Sequence, residues 1–539
     1  MTDLSDGRQL RAMFTAATRW LEVNMEAINS LNVFPVPDGD TGTNMLFTMR
    51  ATMEEAERSP EDSASAVAKA MAWGALMGAR GNSGVILSQI LRGFSQGLEG
   101  RSSFDGKDFA AGLTEAASAA YRAVSKPVEG TILTVMTDAA RAAQGAAAER
   151  ADLEWVLESA VSAAEESVAR TQTILPVLRE AGVVDAGGQG LLTMLEGALK
   201  QLRHESIPSA ARLAESQAIS RVSRVAEGEG DGGHPVYGFC TEFLIQGRGL
   251  ELASIREKIG RKGESTVVVG GDSTVRVHTH SFEPDAVIDI ARSLGELSKV
   301  RVQNIDEQHS NLLEARESAG KLPIATVAVA AGEGLESLFS SLGAAQVVSG
   351  GQTMNPSTEE LLTAVESVPA AAVVLLPNNK NILPAARQAA SLSQKTVEVI
   401  PTSSIPQGIA SILAFNGEAR LEDNLRSMTE ALSRVNTLEL TRAVRPAKVN
   451  GLKIRKGEAI GLLDGELLVS ASGPAEVVQS LAPRFQPGGY NLATVYCGAK
   501  APSEEREEVV QSLRNCLPGV EVEVVEGGQR DYEFIISLE

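Results

Sequence analysis

From Asp6 to Leu202 apolar side chains recur three and four residues apart, so residues 1–205 read as almost purely helical. The spacing predicts helices over Asp6–Asn29, Thr43–Arg58, Ser63–Met77, Ser83–Leu98, Phe109–Val124, Ile132–Glu149, Leu153–Ala169 and Gly188–Leu202. Alanine fills many of them, which favours helix and lets neighbours approach closely. The joints carry Gly, Pro, Asp and Asn, the residues that break periodic structure. Eight helices with short joints predict an antiparallel bundle or barrel.

A chain of 539 residues has room for three or four domains at about 100–200 residues each. After residue 205 the helical period decays, and the Gly- and acid-rich run RVAEGEGDGGHP marks 206–234 as a linker. Strand-like runs separated by helical stretches then predict a small α+β domain over 235–320. From 321 to 539 short β-branched runs (IATVAVAAG, AAQVVSGG, AAAVVLLPN, VEVIPT) each precede a helical segment, the rhythm of a parallel sheet with crossover helices. More strands follow Leu438, and they predict a second α/β lobe. The expected fold is therefore multidomain: all-α first, α+β in the middle, α/β last.

Lysine and arginine total 49 against 69 acidic residues, a net charge of −20. Such a surface repels phosphate backbones and anionic lipid, which argues against nucleic acid as a partner. Three cysteines cannot form a disulfide framework. The start lacks a basic segment followed by an apolar one, and no apolar run reaches the roughly 18 residues of a membrane span. The expectation is a soluble, cytoplasmic protein.

The most informative motif is NVFPVPDGDTGTN, Asn32–Asn44. Two prolines extend its approach and two glycines permit a tight turn, which holds Asp38 and Asp40 close together. Neighbouring carboxylates repel unless a hard cation neutralises them, and Mg²⁺ prefers a few carboxylates plus substrate phosphates. Thr41, Thr43 and Asn44 open the next helix, whose N-terminal amides suit an anion. Gly-rich turns at Gly78–Gly84 and Gly182–Gly190 repeat the design, with Ser83 placed to cap a helix. A single such turn is ordinarily a helix cap, but three in one helical domain point to a phosphate and nucleotide site. No strand precedes them, so P-loop and Rossmann readings fail.

Asn32–Asn44, RGNSGVILSQILRG from Arg80, EGTILTVMTD from Glu129 and Gly182–Gly190 resemble the ATP-binding helical domain of dihydroxyacetone kinases. NVFPVPDGDTGTNM resembles more closely the A subunit of bacterial fatty acid kinase, a DegV-associated kinase, and that likeness spans essentially the whole chain. The resemblance implies an eight-helix barrel holding ATP and two Mg²⁺. It places Asp38 and Asp40 on both metals, Thr41, Thr43, Asn44 and Ser83 on phosphates, Gly81 and Asn82 in the phosphate loop, and Asp185 and Gly187 beside the nucleotide. Dihydroxyacetone kinases carry a third Asp upstream; Asn32 stands nearest that position, off by one in spacing, and keeps an oxygen without the charge. Arg80 is the candidate cation to screen transferring charge, with a surface ion pair as the alternative.

In the middle segment Cys240 and Glu242 are two apart on a predicted strand, as are His278 and His280 on another. One thiolate and two imidazoles suit a structural Zn²⁺ if the strands adjoin, with a fourth ligand still needed. A buried cysteine beside surface histidines is the plainer alternative, but the resemblance places a Cys and an HxH at matching positions. In the last third, Ser349–Ser357 and Leu376–Ile382 follow strands, where open α/β sheets bind ligands or dock partners. This segment resembles DegV-type fatty-acid-binding proteins.

The function implied by the resemblance is transfer of the ATP γ-phosphoryl to a fatty acid carboxylate presented by a fatty-acid-loaded DegV-type protein, by a homodimeric enzyme. A kinase for a small hydroxylated metabolite such as dihydroxyacetone, or a non-catalytic ATP-binding scaffold, are the alternatives.

Overall fold

Asp6, Ser63, Asp105, Thr131, Asp152 and Asp185 each accept a backbone N–H at a helix start, and together they punctuate the first 200 residues. The computed structural model describes residues 4–33, 39–124, 126–207, 239–247, 255, 258–259, 262, 264–271, 274–281, 283–304, 322–351, 354–417, 419–485 and 489–539. The chain forms two compact units, Met1–Arg221 with Pro323–Glu539, and Val222–Leu322.

In the first unit, β1 (Ser5–Asp6) pairs with β2 (Ser103–Phe104) beside a set of helices. These are α1 (Gly7–Asn29), α2 (Thr41–Arg58), α3 (Ala64–Met77), α4 (Gly81–Gly97), α5 (Gly106–Ala123), α6 (Ile132–Glu149), α7 (Leu153–Ile174), α8 (Pro176–Ala181) and α9 (Ala186–Leu202). Eight are the long helices the periodicity predicts. The ninth, α8, has no counterpart in that pattern, because six residues are too few to display a period. Their shared core is methionine- and alanine-rich, with Met13, Met45, Met49, Met71, Leu87 and Phe104 fully buried.

The second unit contains β3 (Phe239–Gln246), β4 (Glu264–Gly271), β5 (Thr274–Ser281), α10 (Pro284–Arg292) and β6 (Glu296–Asn304). Its sheet runs β4-β5-β3-β6, with neighbouring strands antiparallel. The predicted linker lies almost wholly outside the described residues.

The C-terminal part of the first unit begins with β7 (Leu322–Ala330), α11 (Glu333–Ser341), β8 (Gln346–Ser349), α12 (Thr358–Ser367), β9 (Ala370–Leu376), α13 (Leu383–Leu392) and β10 (Thr396–Val399). The sheet order is β10-β9-β7-β8, with β7/β8 and β9/β10 parallel, as the strand–helix rhythm predicts. Two helices, α14 (Ile405–Leu413) and α15 (Leu421–Leu432), lead into β11 (Asn436–Arg442), β12 (Ala447–Val449), β13 (Leu452–Ile454), β14 (Ala459–Leu463) and β15 (Glu466–Ala471). The chain ends with α16 (Pro474–Leu481), β16 (Leu492–Cys497), α17 (Ser503–Cys516), β17 (Glu521–Glu526) and β18 (Phe534–Leu538). This second sheet, ordered β15-β14-β11-β18-β16-β17, is mainly antiparallel, with only β16/β17 parallel. The expected α/β lobe is thus α+β in character. Asp464-Gly465 closes β14 onto β15 with positive φ at both residues, and a tight hairpin needs no crossover helix. Among the described residues no helix is long and apolar enough to cross a membrane.

Candidate active site

The acidic turn is held from the end of the preceding helix. Asn29, the last residue of α1, accepts hydrogen bonds at Oδ1 from the backbone N–H of Gly42 (2.8 Å) and Thr43 (3.2 Å), and its Nδ2 donates to Thr43 Oγ1 (3.0 Å). Those N–H groups belong to the first turn of α2, which otherwise has no side-chain cap. The helices meet so closely that a Cβ at Gly42 would lie 2.6 Å from the Met25 carbonyl oxygen. Thr41 Oγ1 donates to Asn32 Oδ1 (2.8 Å), and Asn32 Nδ2 donates back to the Asn29 carbonyl (2.9 Å).

Asp40 is the N-cap of α2, and its side chain caps nothing. It is 8% exposed, and Asn355 Nδ2, from the C-terminal part of the chain, donates to its Oδ2. Asn355 is 1% exposed, and its Oδ1 has no hydrogen-bond partner among the described residues. A buried amide oxygen left in that state costs about 1–3 kcal/mol. The buried Asp40 carboxylate is the kind of hard oxygen donor that a divalent cation fits, and the amide end that faces it here is the NH2. Asp38 lies outside the described residues.

A cavity of about 290 Å³ opens beside this turn, near the small end of the roughly 300–1,000 Å³ range for ligand sites. Four helix starts border it: Thr41 of α2, Asn82 and Ser83 of α4, Thr131 to Leu133 at α6, and Asp185 to Gly187 at α9. Helix N-termini each carry about half a positive charge, so their convergence favours an anion. At α4 no side chain caps the helix, leaving that start open to a phosphate. Gly81 makes the turn possible: its φ is +57°, and a Cβ there would collide with Asn44 Nδ2.

Asp185 caps α9 by accepting from Gly188 N–H (2.7 Å). Burial pushes its carboxyl up to about 6, against the downward pull of the Gly188 and Ile132 backbone N–H groups. Ser83 stands in the first turn of α4 rather than capping it, because the helix starts at Gly81, two residues earlier than the periodicity predicts.

Of the residues expected here, Asn32, Thr41, Asn82, Ser83, Asp185 and Gly187 line one cavity. Thr43 is bonded to Asn29 instead, and buried Asn44 packs against Gly81. Arg80 faces the C-terminal part of the chain. Its guanidinium donates to Asn355 O (2.8 Å) and to both Glu360 oxygens (3.0 and 3.2 Å), and lies 5.5 Å from the centre of the Phe47 ring. Burial raises the Glu360 carboxyl, but the Ser357 backbone N–H and Arg80 outweigh it and hold the group below its ordinary value. The cation that does line the cavity is Lys126, exposed at its edge. Lys126 and Asn29 are absent from the residues the sequence singles out, and Asn355 enters only as a member of the Ser349–Ser357 segment, with no role of its own. Lys126 sits beside the recognisable EGTILTVMTD run and Asn355 in a loop that follows a strand, but Asn29 has no local signal.

Both strand-end segments read as ligand or docking loops meet the helical part of their own chain. Arg80 forms an isolated bridge with Ser357, Thr358 N–H donates to the Ala79 carbonyl (3.2 Å), and Asn82 Nδ2 donates to Asn381 Oδ1 (3.2 Å). A cavity at the carboxyl ends of β7 and β9 measures about 50 Å³, room for a water or two rather than an acyl chain.

In the second unit, β3 and β5 are adjacent and antiparallel, with Cys240 opposite His280 and Glu242 opposite His278. Glu264 of β4 stands opposite His280 on the other side. The side chains of Cys240, His278 and His280 lie outside the described residues.

Three family models match the chain in order: the DAK2 domain over residues 35–200, the middle domain of the fatty acid kinase A-subunit-like family over 236–312, and the C-terminal domain of that same family over 325–539. Protein YloV of Bacillus subtilis is 39% identical over 547 residues, covering 99% of both chains. The chain belongs to the fatty acid kinase A-subunit-like family. An uncharacterized protein of Staphylococcus aureus is 37% identical, again over 99% of both chains. Among solved structures, a DegV family protein from Corynebacterium glutamicum aligns with 40% of this chain and 96% of its own, at TM-score 0.32 and 16% identity. The Streptococcus pneumoniae fatty acid kinase B3 protein loaded with linoleic acid aligns with 45% of this chain and 87% of its own, at TM-score 0.27 and 12% identity. Family membership rests on the sequence matches, since those TM-scores are low.

Proposed function

We propose that this protein is the ATP-consuming component of a fatty acid kinase, transferring the γ-phosphoryl group to the carboxylate of a fatty acid held by a separate DegV-type protein. The observation that carries the reading is the cavity where four helix starts converge beside the buried Asp40, in a chain matched end to end by its family. Asp38 and Asp40 would hold two Mg²⁺, with Asn32 near enough to Thr41 to assist, and the ions would supply charge neutralisation between phosphates and acceptor. The open start of α4, with Gly81, Asn82 and Ser83, holds phosphate oxygens. Asp185 and Gly187 border the nucleotide, and Thr43 and Asn44 keep the turn in shape.

The acceptor carboxylate is ionised near pH 7, its ordinary pKa being about 4.3, so no general base is needed. Its approach to a polyanion is the difficult part. Arg80 is engaged by Glu360, and we infer that Lys126 at the cavity edge takes the screening role. An acyl phosphate hydrolyses readily, so a carrier that buries the acyl tail and offers only the carboxylate suits the product. We also infer that the eight long helices close into a barrel. For the middle segment we infer an α+β domain whose Cys240, His278 and His280 hold a structural Zn²⁺, a reading supported by the Cys240–His280 register.

The test mixes purified protein, Mg-ATP and a fatty-acid-loaded DegV-type protein and follows labelled phosphate into acyl phosphate. Transfer should require both proteins and fall to background in Asp38→Ala and Asp40→Asn. Transfer to dihydroxyacetone alone, or nucleotide binding with no turnover in either mixture, would replace this function with one of its two alternatives.

A further inference from the structure

We propose that Glu129 is a positioning residue for the nucleotide: tied to two helices at once, it fixes residues 126–130 as one edge of the cavity and so keeps Lys126 in place for the incoming polyanion. The inference rests on reading that cavity as the nucleotide site, and it adds a side chain that does not itself line the cavity.

Glu129 bridges the two helices that its own loop connects. Tyr121, in the last turn of α5, donates its hydroxyl to Glu129 Oε1 (2.6 Å), and Thr134, in the first turn of α6, donates to Oε2 (2.6 Å). Both lengths are those of a hydroxyl on an ionised carboxylate. The Thr134 and Tyr121 hydroxyls hold that carboxyl below its ordinary value, and the carboxylate in turn pushes the Tyr121 phenol up. Thr134 Oγ1 also accepts from the Gly130 N–H (2.9 Å), and Thr131 Oγ1 donates to the Val128 carbonyl (2.8 Å). The end of α7 backs the turn: Gly130 is buried at φ +83°, and a Cβ there would lie 3.0 Å from Ile174 and Leu175.

The start of α6 does not need this carboxylate as a cap, because Thr131 already accepts from the Leu133 N–H. What Glu129 adds is the cross-tie to α5, and the stretch it ties down carries Lys126 and Val128 to the cavity, which Glu129 and Tyr121 do not line. Lys126 and Val128 are both exposed, so burial of their own side chains holds neither. An edge that is in place only part of the time raises the apparent Kd by the inverse of that fraction. Fixing the edge before the ligand arrives removes the loss, and the two short bonds to Glu129 do so from the side away from the ligand.

The test is equilibrium binding of Mg-ATP to the full-length protein by titration calorimetry, at a temperature where thermal unfolding shows every variant folded. Glu129→Ala should weaken binding about three- to tenfold, as for an edge in place between about a third and a tenth of the time. Tyr121→Phe leaves the cavity lining intact, so it should weaken binding in the same direction and add little once Glu129 is already alanine. Glu129→Gln keeps one acceptor oxygen for a hydroxyl and should recover part of the loss. In a Lys126→Ala background, Glu129→Ala should cost less than it does in wild type, because the cation it places is gone. A lowered unfolding midpoint with unchanged affinity in Glu129→Ala would overturn the proposal, leaving a tie that serves folding alone. Losses from Glu129→Ala and Lys126→Ala that add in full would also overturn it. If wild type binds no Mg-ATP, the nucleotide reading fails and the proposal with it. That result is distinct from a wild type that binds Mg-ATP and is indifferent to Glu129.

Discussion

At neutral pH Asp185 must carry its charge in a place that resists it. Its carboxyl is raised from 3.8 to about 6, chiefly by burial. The folded state therefore holds a proton between roughly pH 4 and 6 that the unfolded chain releases. Stability falls as pH rises through that window and levels off above it, by up to about 3 kcal/mol from this group alone. Asp185→Asn, which keeps a capping oxygen, should gain stability relative to wild type at pH 7.5 and lose that advantage near pH 4. Denaturant midpoints measured by circular dichroism at the two pH values check this, and an advantage independent of pH would refute it. The sequence discloses Asp185, Asn82 and Ser83 because each lies in a glycine-rich turn before a helix. Asn29 is illegible at this scale, and for Asn355 the sequence discloses the loop but not the partner. Each is one polar residue among ordinary neighbours, and its meaning comes from what the fold brings to it.

Helix starts decide the chemistry at the next scale. Asn29 satisfies two N–H groups at the head of α2, so Asn29→Ala should cost about 1–2 kcal/mol by analogy with lost N-caps and leave the acidic turn loosely held. Thermal unfolding would register a lower midpoint, and Asn29→Asp should recover part of the loss. Gly81→Ala is expected to be worse for phosphate binding than for folding. It strains a left-handed residue by about 1–2 kcal/mol and pushes Asn44 aside at the uncapped start of α4. Equilibrium binding of a nucleotide to this variant should weaken more than its melting temperature drops. The 3.6-residue period makes the long helices legible, but not their first residues: α2 and α4 each begin two residues before the expected position. Glycine and threonine carry no apolar signal, and the close contact of Gly42 with α1 is a tertiary fact. The second sheet of the C-terminal part departs from expectation for a similar reason. Strand runs announce themselves, while pairing direction depends on connections such as Asp464-Gly465.

Across the whole molecule, the helical and C-terminal parts form one unit although about a hundred residues of chain separate them, the second unit lying between in sequence. The Arg80–Glu360 pair is part of that contact, yet the Glu360 side chain is 51% exposed, and such pairs contribute about 0–1 kcal/mol. A double-mutant cycle on Arg80→Ala and Glu360→Ala should give a coupling below about 1 kcal/mol that shrinks with salt. A larger, salt-independent coupling would mean that the ion pair, and not the burial around Asn355, holds the contact. No sequence window contains both halves of this contact, so no period or motif could reveal it. The hydrogen bond between Asn355 and Asp40 joins residues 315 positions apart. On a ribosome adding about 5–20 residues per second, Asp40 emerges roughly 15–60 s before its partner exists. For that interval the acidic turn of the nascent chain is held by Asn29 and its own helices, so the contact with Asn355 is added to a turn already made.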